Sequence, residues 1–337
     1  MMSSENRFTF FGIMLQSAGI FTPTEQRMIK PRRTTSLQRT QQRMAVLFIL
    51  PALAVYGLFV LYPLFLSLWG SFFTWKGLRM QEFAGLANFS RLFVFPSGAR
   101  LYGALWHNIA WFFGIMVLQN GLGLLFAWLL FLRSRGAAFF QSVFFFPAVL
   151  SPVIVGALWR LLLAPGGIVE WALNGLGLHQ GSLTALGNSH TALGMLIAVD
   201  AWNWMGLPVL IYTAGLRQIS PQVFEAAKLD GAGNARMLYS VALPLLMPAL
   251  GTLTTLSFIN TFNQFDIVYV MQGVQGNPSY ATDTLVTYFY RLAFGAEGAV
   301  GITDIGLALA LGTMLFLILS IGTLLMLRFF DKRTVEL

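Results

Sequence analysis

The sequence predicts an all-α polytopic membrane protein: six transmembrane helices, both termini cytoplasmic, and short cytoplasmic helices between the fourth and fifth spans. Three observations predict this. The chain is 56% apolar and 10% charged, with a mean hydropathy of +0.69, whereas soluble domains carry about a quarter charged residues. Six apolar stretches approach or exceed the roughly 20 residues a helix needs to cross the hydrocarbon layer. Fifteen of the 21 Lys and Arg residues fall on one face of the resulting topology.

Residues 1–43 precede the first span. RFTFFGIMLQSAGIF (7–21) is too short to cross and no small-residue cleavage site follows it. The segment reads as a disordered or surface-lying cytoplasmic tail, with Met28 or Met44 as alternative starts. The membrane-embedded body runs over 44–330, with spans at 44–68, 106–131, 139–159, 191–215, 249–272 and 305–327, and 331–337 is a short C-terminal tail. The second and sixth spans contain no Asp, Glu, Lys or Arg. Pro51, Pro63, Pro147, Pro152 and Pro208 fall inside spans and predict kinks, which membrane helices tolerate.

Six crossings place both termini on one side. Arg7, Arg27, Lys30, Arg32, Arg33, Arg39 and Arg43 lie before the first span, Arg133 and Arg135 in the second loop, and Arg217, Lys228 and Arg236 in the fourth. Arg328, Lys332 and Arg333 follow the last span, and only Lys76, Arg79, Arg91, Arg100, Arg160 and Arg291 lie opposite. The positive-inside rule makes the first face cytoplasmic. The net charge of +8 thus reports orientation and contact with anionic headgroups, and not nucleic acid. The absence of cysteine excludes disulfides and thiolate chemistry, and His107, His179 and His190 show no metal-ligand spacing.

The cytoplasmic segment 216–248 is polar between two apolar spans. Ser220 suits a helix N-cap and Pro221 the first helical position, where no amide partner is needed. A short helix through Val223, Phe224, Glu225, Ala226, Ala227 and Leu229 would end at Gly231, which tolerates the left-handed conformation. A second helix would run from Asn234 to Leu243, stopped or bent by Pro244. The small Ala226 and Ala227 would let another backbone approach, with Glu225 and Asp230 supplying charge beside the contact. On physical grounds alone, a helical knob shaped for a socket and an amphipathic loop on the membrane surface stand level.

The stretch EAAKLDGAGNARMLYSVALPLLMP (225–248) closely resembles the cytoplasmic signature of importer permeases in the ATP-binding-cassette superfamily. The matching elements are Glu225-Ala226-Ala227, Asp230-Gly231-Ala232 and Leu243-Pro244. LFILPALAVYGLFVLYPLFLSLWGSF (47–72), FAGLANFSRLF (83–93), FFFPAVLSPVIVGALWRLLLAPGG (144–167) and FDIVYVMQGVQGNPSYATDTLVTYFYRLAF (265–294) resemble further segments of the binding-protein-dependent sugar permeases. The subfamily resembled is that of the maltose and glycerol-3-phosphate systems. Two stretches depart from its pattern: GVQGNP at 273–278, where many relatives have Gly-Gly-Pro, and GAEGAVGITDIG at 295–306.

The resemblance implies a permease subunit in a bacterial or archaeal plasma membrane. Its partners would be a second permease, two cytoplasmic ATPase subunits, an extracytoplasmic solute-binding protein and a small polar solute of the sugar class. It implies that Glu225 makes a polar contact with an ATPase subunit, that Ala226 and Ala227 pack into its groove, and that Asp230, Gly231 and Ala232 shape the turn. The second helix and Pro244 would pass the motion to the fifth span. The chain has no G-x-x-x-x-G-K-[ST] loop, so ATP and Mg would bind the partner subunits and this chain would be no enzyme. Gly121 and Gly123 lie in an apolar span and read as helix-packing positions. Asn88-Phe-Ser90 fits a glycosylation pattern, a weak three-residue match.

Asp200 and Asp266 lie within the fourth and fifth spans, where a carboxylate costs about 2.5–3.5 kcal/mol on insertion scales, so each should face a cavity or a partner. Asp200 sits beside Trp202, Asn203 and Trp204, a set offering hydroxyl acceptors and an apolar plate for a sugar ring. Asn260 and Asn263 lie three apart on one helical face and could join them. Interhelical hydrogen bonding with interfacial tryptophans is the structural alternative for this set. The functional alternative is an ion- or proton-coupled transporter using Asp200 and Asp266, which leaves the cytoplasmic knob unexplained. An intramembrane enzyme lacks a nucleophile-and-base constellation in this sequence.

Overall fold

The computed structural model describes residues 36–133, 136–178, 184–295 and 303–332. Residues 1–35 of the expected tail, Arg135, His179, most of the 295–306 departure (296–302) and residues 333–337 lie outside the described residues. The chain divides into two units, Met1–Leu64 and Phe65–Leu337. In the first, α1 (Ser36–Tyr56) enters a π-helical turn, Gly57–Leu61. Helix begins at Ser36, ahead of the Met44 boundary that hydropathy gives, because backbone hydrogen bonding needs no apolar side chain. Tyr62 N–H donates to Gly57 O, five residues back, directly before Pro63. The widened turn reorients carbonyls ahead of a residue that has no N–H. The run continues as α2 (Tyr62–Gly70).

The second unit opens with a hairpin absent from the all-α expectation. β1 (Phe73–Lys76) pairs antiparallel with β2 (Arg79–Phe83) around Gly77, whose φ of 58° supplies the turn. After α3 (Ala87–Phe93), α4 (Ser97–Leu132) is a single long helix through a π turn at Met116–Gly121. It begins nearer the chain start than the span expected at 106–131. The last helix, called α15 below, is Ile305–Asp331. With Leu47–Gly70, these are the three helices among the described residues that are long and apolar enough to cross a membrane by themselves.

The other three crossings are bent pairs, and each bend has a local cause. α5 (Ala137–Val149) and α6 (Pro152–Leu162) meet at 94°. Leu150 and Ser151 between them are extended, as the residue before a proline prefers, and the Ser151 hydroxyl accepts from Val153 N–H at 3.3 Å. After α7 (Ile168–Gly175), α8 (Ala192–Trp204) and α9 (Gly206–Gln218) bend by 48°, because Pro208 offers no N–H to the Trp204 carbonyl four residues back. α10 (Pro221–Leu229) precedes α11 (Asn234–Leu245) and α12 (Met247–Phe262), which bend by 75° at Leu246, ahead of Pro248. The expected second helix therefore runs through Pro244 and breaks two residues later. If each bent pair is one span, there are six crossings.

The fifth crossing is not the continuous helix expected at 249–272. α12 stops at Phe262, and α13 (Asp266–Gln272) resumes after a break. Sixteen residues of helix span about 24 Å, short of the roughly 30 Å hydrocarbon core. α14 (Leu285–Phe294) then leads towards α15.

Three buried clusters hold the second unit together. One joins α4, α6, α8 and α13 through Trp111, Val155, Leu196 and Val268. One joins α3, α4, α12, α14 and α15 through Leu92, Leu101, Phe262, Tyr288 and Leu311. The third joins α4, α9, α10, α11 and α12 through Trp128, Tyr212, Phe224, Met237 and Leu253. Glycine sets two of the close approaches: a Cβ at Gly123 would meet the Pro208 ring at 2.8 Å, and one at Gly206 would meet Phe145 Cα at 2.4 Å. Gly121 makes no such approach to another helix. Large apolar side chains such as Phe113, Val117, Phe139 and Leu161 point outward, as a lipid-facing surface requires.

Candidate translocation and coupling sites

The break in the fifth crossing opens into a cavity of about 220 Å³ between α4, α8 and α12. Irregular backbone at membrane depth is tolerated where it is buried in protein or lines a water-filled cavity. Here side chains from neighbouring elements satisfy its carbonyls. Asn108 Nδ2 donates to Thr261 O at 2.7 Å, and the Thr284 hydroxyl donates to Gln264 O at 2.8 Å. Asn108 Oδ1 also accepts from Leu285 N–H at 2.9 Å, tying α4 to α14.

Of the residues singled out in the sequence, Asp200, Trp204, Asn260, Asn263 and Asp266 line this cavity together. Trp202 and Asn203 do not. Asp200 and Trp204 are one turn apart on α8, whereas Trp202 points off that face and packs edge-on against Trp159 at 5.5 Å. Asn203 is fully buried, with neither side-chain polar atom hydrogen-bonded. Asp200 Oδ2 accepts from Trp111 Nε1 at 2.8 Å, so this carboxylate has a fixed partner. The sequence reading missed Gln119, Ser257, Thr261 and Gln264, which complete the polar lining. Asn120 donates to Ser257 Oγ at 2.8 Å beside them. Part of that signal was present: Asn108 and Gln119, amides in a span without Asp, Glu, Lys or Arg, lie about three turns apart on one face.

The outer end of the unit is clamped by a buried ion pair. Arg291 binds Asp283 through two hydrogen bonds, of 3.0 and 2.5 Å, and donates to Val274 O at 2.8 Å. Arg100 and Arg291 both lie over the Tyr280 ring, at 4.4 and 5.0 Å. A second pair, Arg91 with Asp304, joins α3 to the start of α15. Asn88 is buried, its amide donating to Ser71 O and Phe73 O at 2.9 and 2.8 Å. It is a structural cross-brace and not an accessible glycosylation acceptor.

On the opposite face α10 projects as a knob with two unlike sides. Phe224 is 7% exposed and packs against Phe131 and Trp128, with ring centroids at 5.2 and 6.2 Å. Ala227 and Ala232 also pack against this cluster. Gln222, Glu225, Ala226 and Leu229 form the outward side at helical spacing, and Leu229 is 90% exposed. Ala227 thus turns half inward to its own chain and Ala226 outward. Gly231, at φ 78°, ends the helix: Ala232 N–H reaches Ala227 O at 2.9 Å and Gly231 N–H reaches Lys228 O at 3.0 Å. Ser220 occupies the N-cap position, but its hydroxyl binds the Gln222 side chain and no backbone N–H. Pro244 is exposed on α11, and Asp230 is exposed at the turn.

A bundle with a polar cavity at a broken crossing and a cytoplasmic knob joined to its core defines a membrane transport subunit. The chain belongs to the family of binding-protein-dependent transport system inner membrane components, whose model matches residues 119–336. Among its relatives, the probable ABC transporter permease protein YurN of Bacillus subtilis is 30% identical over 294 residues, covering 86% of this chain and 97% of that protein. The lactose transport system permease protein LacF of Rhizobium radiobacter is 30% identical over 261 residues, 77% of this chain and 86% of that one. The crystal structure of a bacterial ABC transporter that imports the acidic polysaccharide alginate matches in fold with a TM-score of 0.73. It is 23% identical and covers 88% of this chain and 98% of that one. This chain is therefore an inner-membrane permease subunit of an ATP-binding-cassette importer, and not itself an enzyme.

Proposed function

We propose that this subunit forms, with a second permease, the path for a sugar or related polyol delivered by a solute-binding protein. The observation that carries the reading is the broken fifth crossing. Asn260, Asn263, Gln264 and Asp266 at the break face Asp200 and Trp204 across one cavity. Amides and carboxylates supply hydroxyl partners and the indole an apolar plate. The lactose permease among the relatives supports the solute class.

Two ATPase subunits, holding ATP and Mg, drive the cycle through α10. Leu229 and Ala226 supply apolar contact to such a subunit and Glu225 a polar one. Phe224 carries displacement into the cluster shared by α4, α9 and α12. A small element with two positions then biases a bundle with two packings. Uptake into vesicles containing the assembled importer tests both halves. Glu225→Lys and Gly231→Pro insert normally but lose ATP-driven uptake, whereas Asp200→Ala and Asn263→Ala lose affinity for solute. Undiminished uptake in the first two removes the docking role, and unchanged solute dependence in the second two removes these residues from the path.

A further inference from the structure

A second cavity, of about 710 Å³, lies on the cytoplasmic half of the bundle and takes no part in the path just described. Phe126 and Leu129 of α4, Phe140 and Phe144 of α5, Arg133 at the end of α4, and Asn234 at the start of α11 line it. Phe126 and Phe144 stack at 4.7 Å and 22°. Leu129 and Phe140 are exposed, so the groove opens sideways. Phe126 and Arg133 are seven residues apart, which puts the cation about 10 Å along α4 from the stacked rings. Arg133 forms no ion pair among the described residues.

We propose that this groove is an inner-leaflet site for an anionic phospholipid. An apolar cleft two turns long, ending in one unpaired cation at the cytoplasmic boundary, matches an acyl chain joined to a phosphate. The cytoplasmic leaflet is the negatively charged one, and basic pockets between helices on that side suit acidic headgroups. Asn234 adds an amide that can hydrogen-bond the phosphate or glycerol esters. Charge complementarity and the sideways opening of the apolar lining thus favour a lipid over a protein segment. Asn234 also begins α11, which follows the knob and leads through the Leu246 bend into α12, so a seated lipid touches the coupling element directly.

Native mass spectrometry of the assembled importer tests this after delipidation and titration with equal phosphatidylglycerol and phosphatidylcholine. The wild-type complex retains phosphatidylglycerol in preference, one molecule for each copy of this chain. Arg133→Gln reduces that retention about fivefold, the effect of one surface cation. Leu129→Trp fills the cleft and abolishes retention, with unchanged melting showing that the fold persists. Equal retention by wild type and Arg133→Gln overturns the proposal. So does a photoreactive residue at position 129 that labels a protein chain and no phospholipid.

Discussion

Phe224 and Leu229 lie on opposite sides of one short helix, so replacing each separates holding the knob from presenting it. Leu229 is 90% exposed, and almost all of its side chain is available for burial by a partner. Burying a leucine side chain contributes about 1.5–3 kcal/mol, so Leu229→Ser should weaken ATPase binding by about 10- to 150-fold. Its side chain is almost wholly exposed, and melting should not change. Phe224 is buried against Phe131 and Trp128, and phenylalanine-to-alanine changes at such sites cost about 3–5 kcal/mol. Phe224→Ala should therefore lower the melting temperature and reduce solute moved per ATP hydrolysed. The assays are fluorescence titration of the ATPase subunit against the purified chain in detergent, and thermal melting of each variant. Wild-type affinity in Leu229→Ser, or melting lowered as much as in Phe224→Ala, would refute the two-sided knob.

Gly206→Ala should destabilise the bundle by about 1–3 kcal/mol, because its methyl meets Phe145 backbone. Gly103→Ala, with nothing within 4 Å of its added carbon, is the control in the same melting series. Asp283→Asn should cost about 3–5 kcal/mol by leaving Arg291 buried without its counter-charge, and the double variant with Arg291→Leu should recover part of that. Asp200→Asn should raise the solute KM about tenfold, from loss of a charged hydrogen-bond acceptor, while Trp202→Phe, outside the cavity, leaves it unchanged in the same uptake assay.

The knob was legible because its punctuation is chemical: Pro221 opens the helix, Gly231 at positive φ closes it, and polar residues interrupt two apolar runs. The broken crossings were less so. Hydropathy averages over a window and cannot distinguish a continuous helix from two joined at Leu246 or across Asn263–Phe265. Pro208 marked the bend in the fourth crossing, but only the approach of Gly206 to Phe145 shows what the bend accommodates. The cavity was half legible. Asn260 and Asn263 share a helical face, and both line it. Asp200, Trp202, Asn203 and Trp204 are neighbours in sequence, but residues that close along a helix diverge around its axis, and only the first and last of them reach the cavity. Asn108, Gln119 and Asn120 carry no charge and are outweighed by their apolar neighbours in any hydropathy window, although a buried amide in lipid needs a partner as a carboxylate does.

The most direct test of force entering through α10 uses the chain's natural lack of cysteine. A single Leu229→Cys substitution in the assembled importer, treated with a short bifunctional thiol reagent, should join this chain to an ATPase subunit carrying its own surface cysteine. The yield should change between the nucleotide-free and ATP-bound states. A product absent in both states, with the ATPase nonetheless bound and active, would contradict the account.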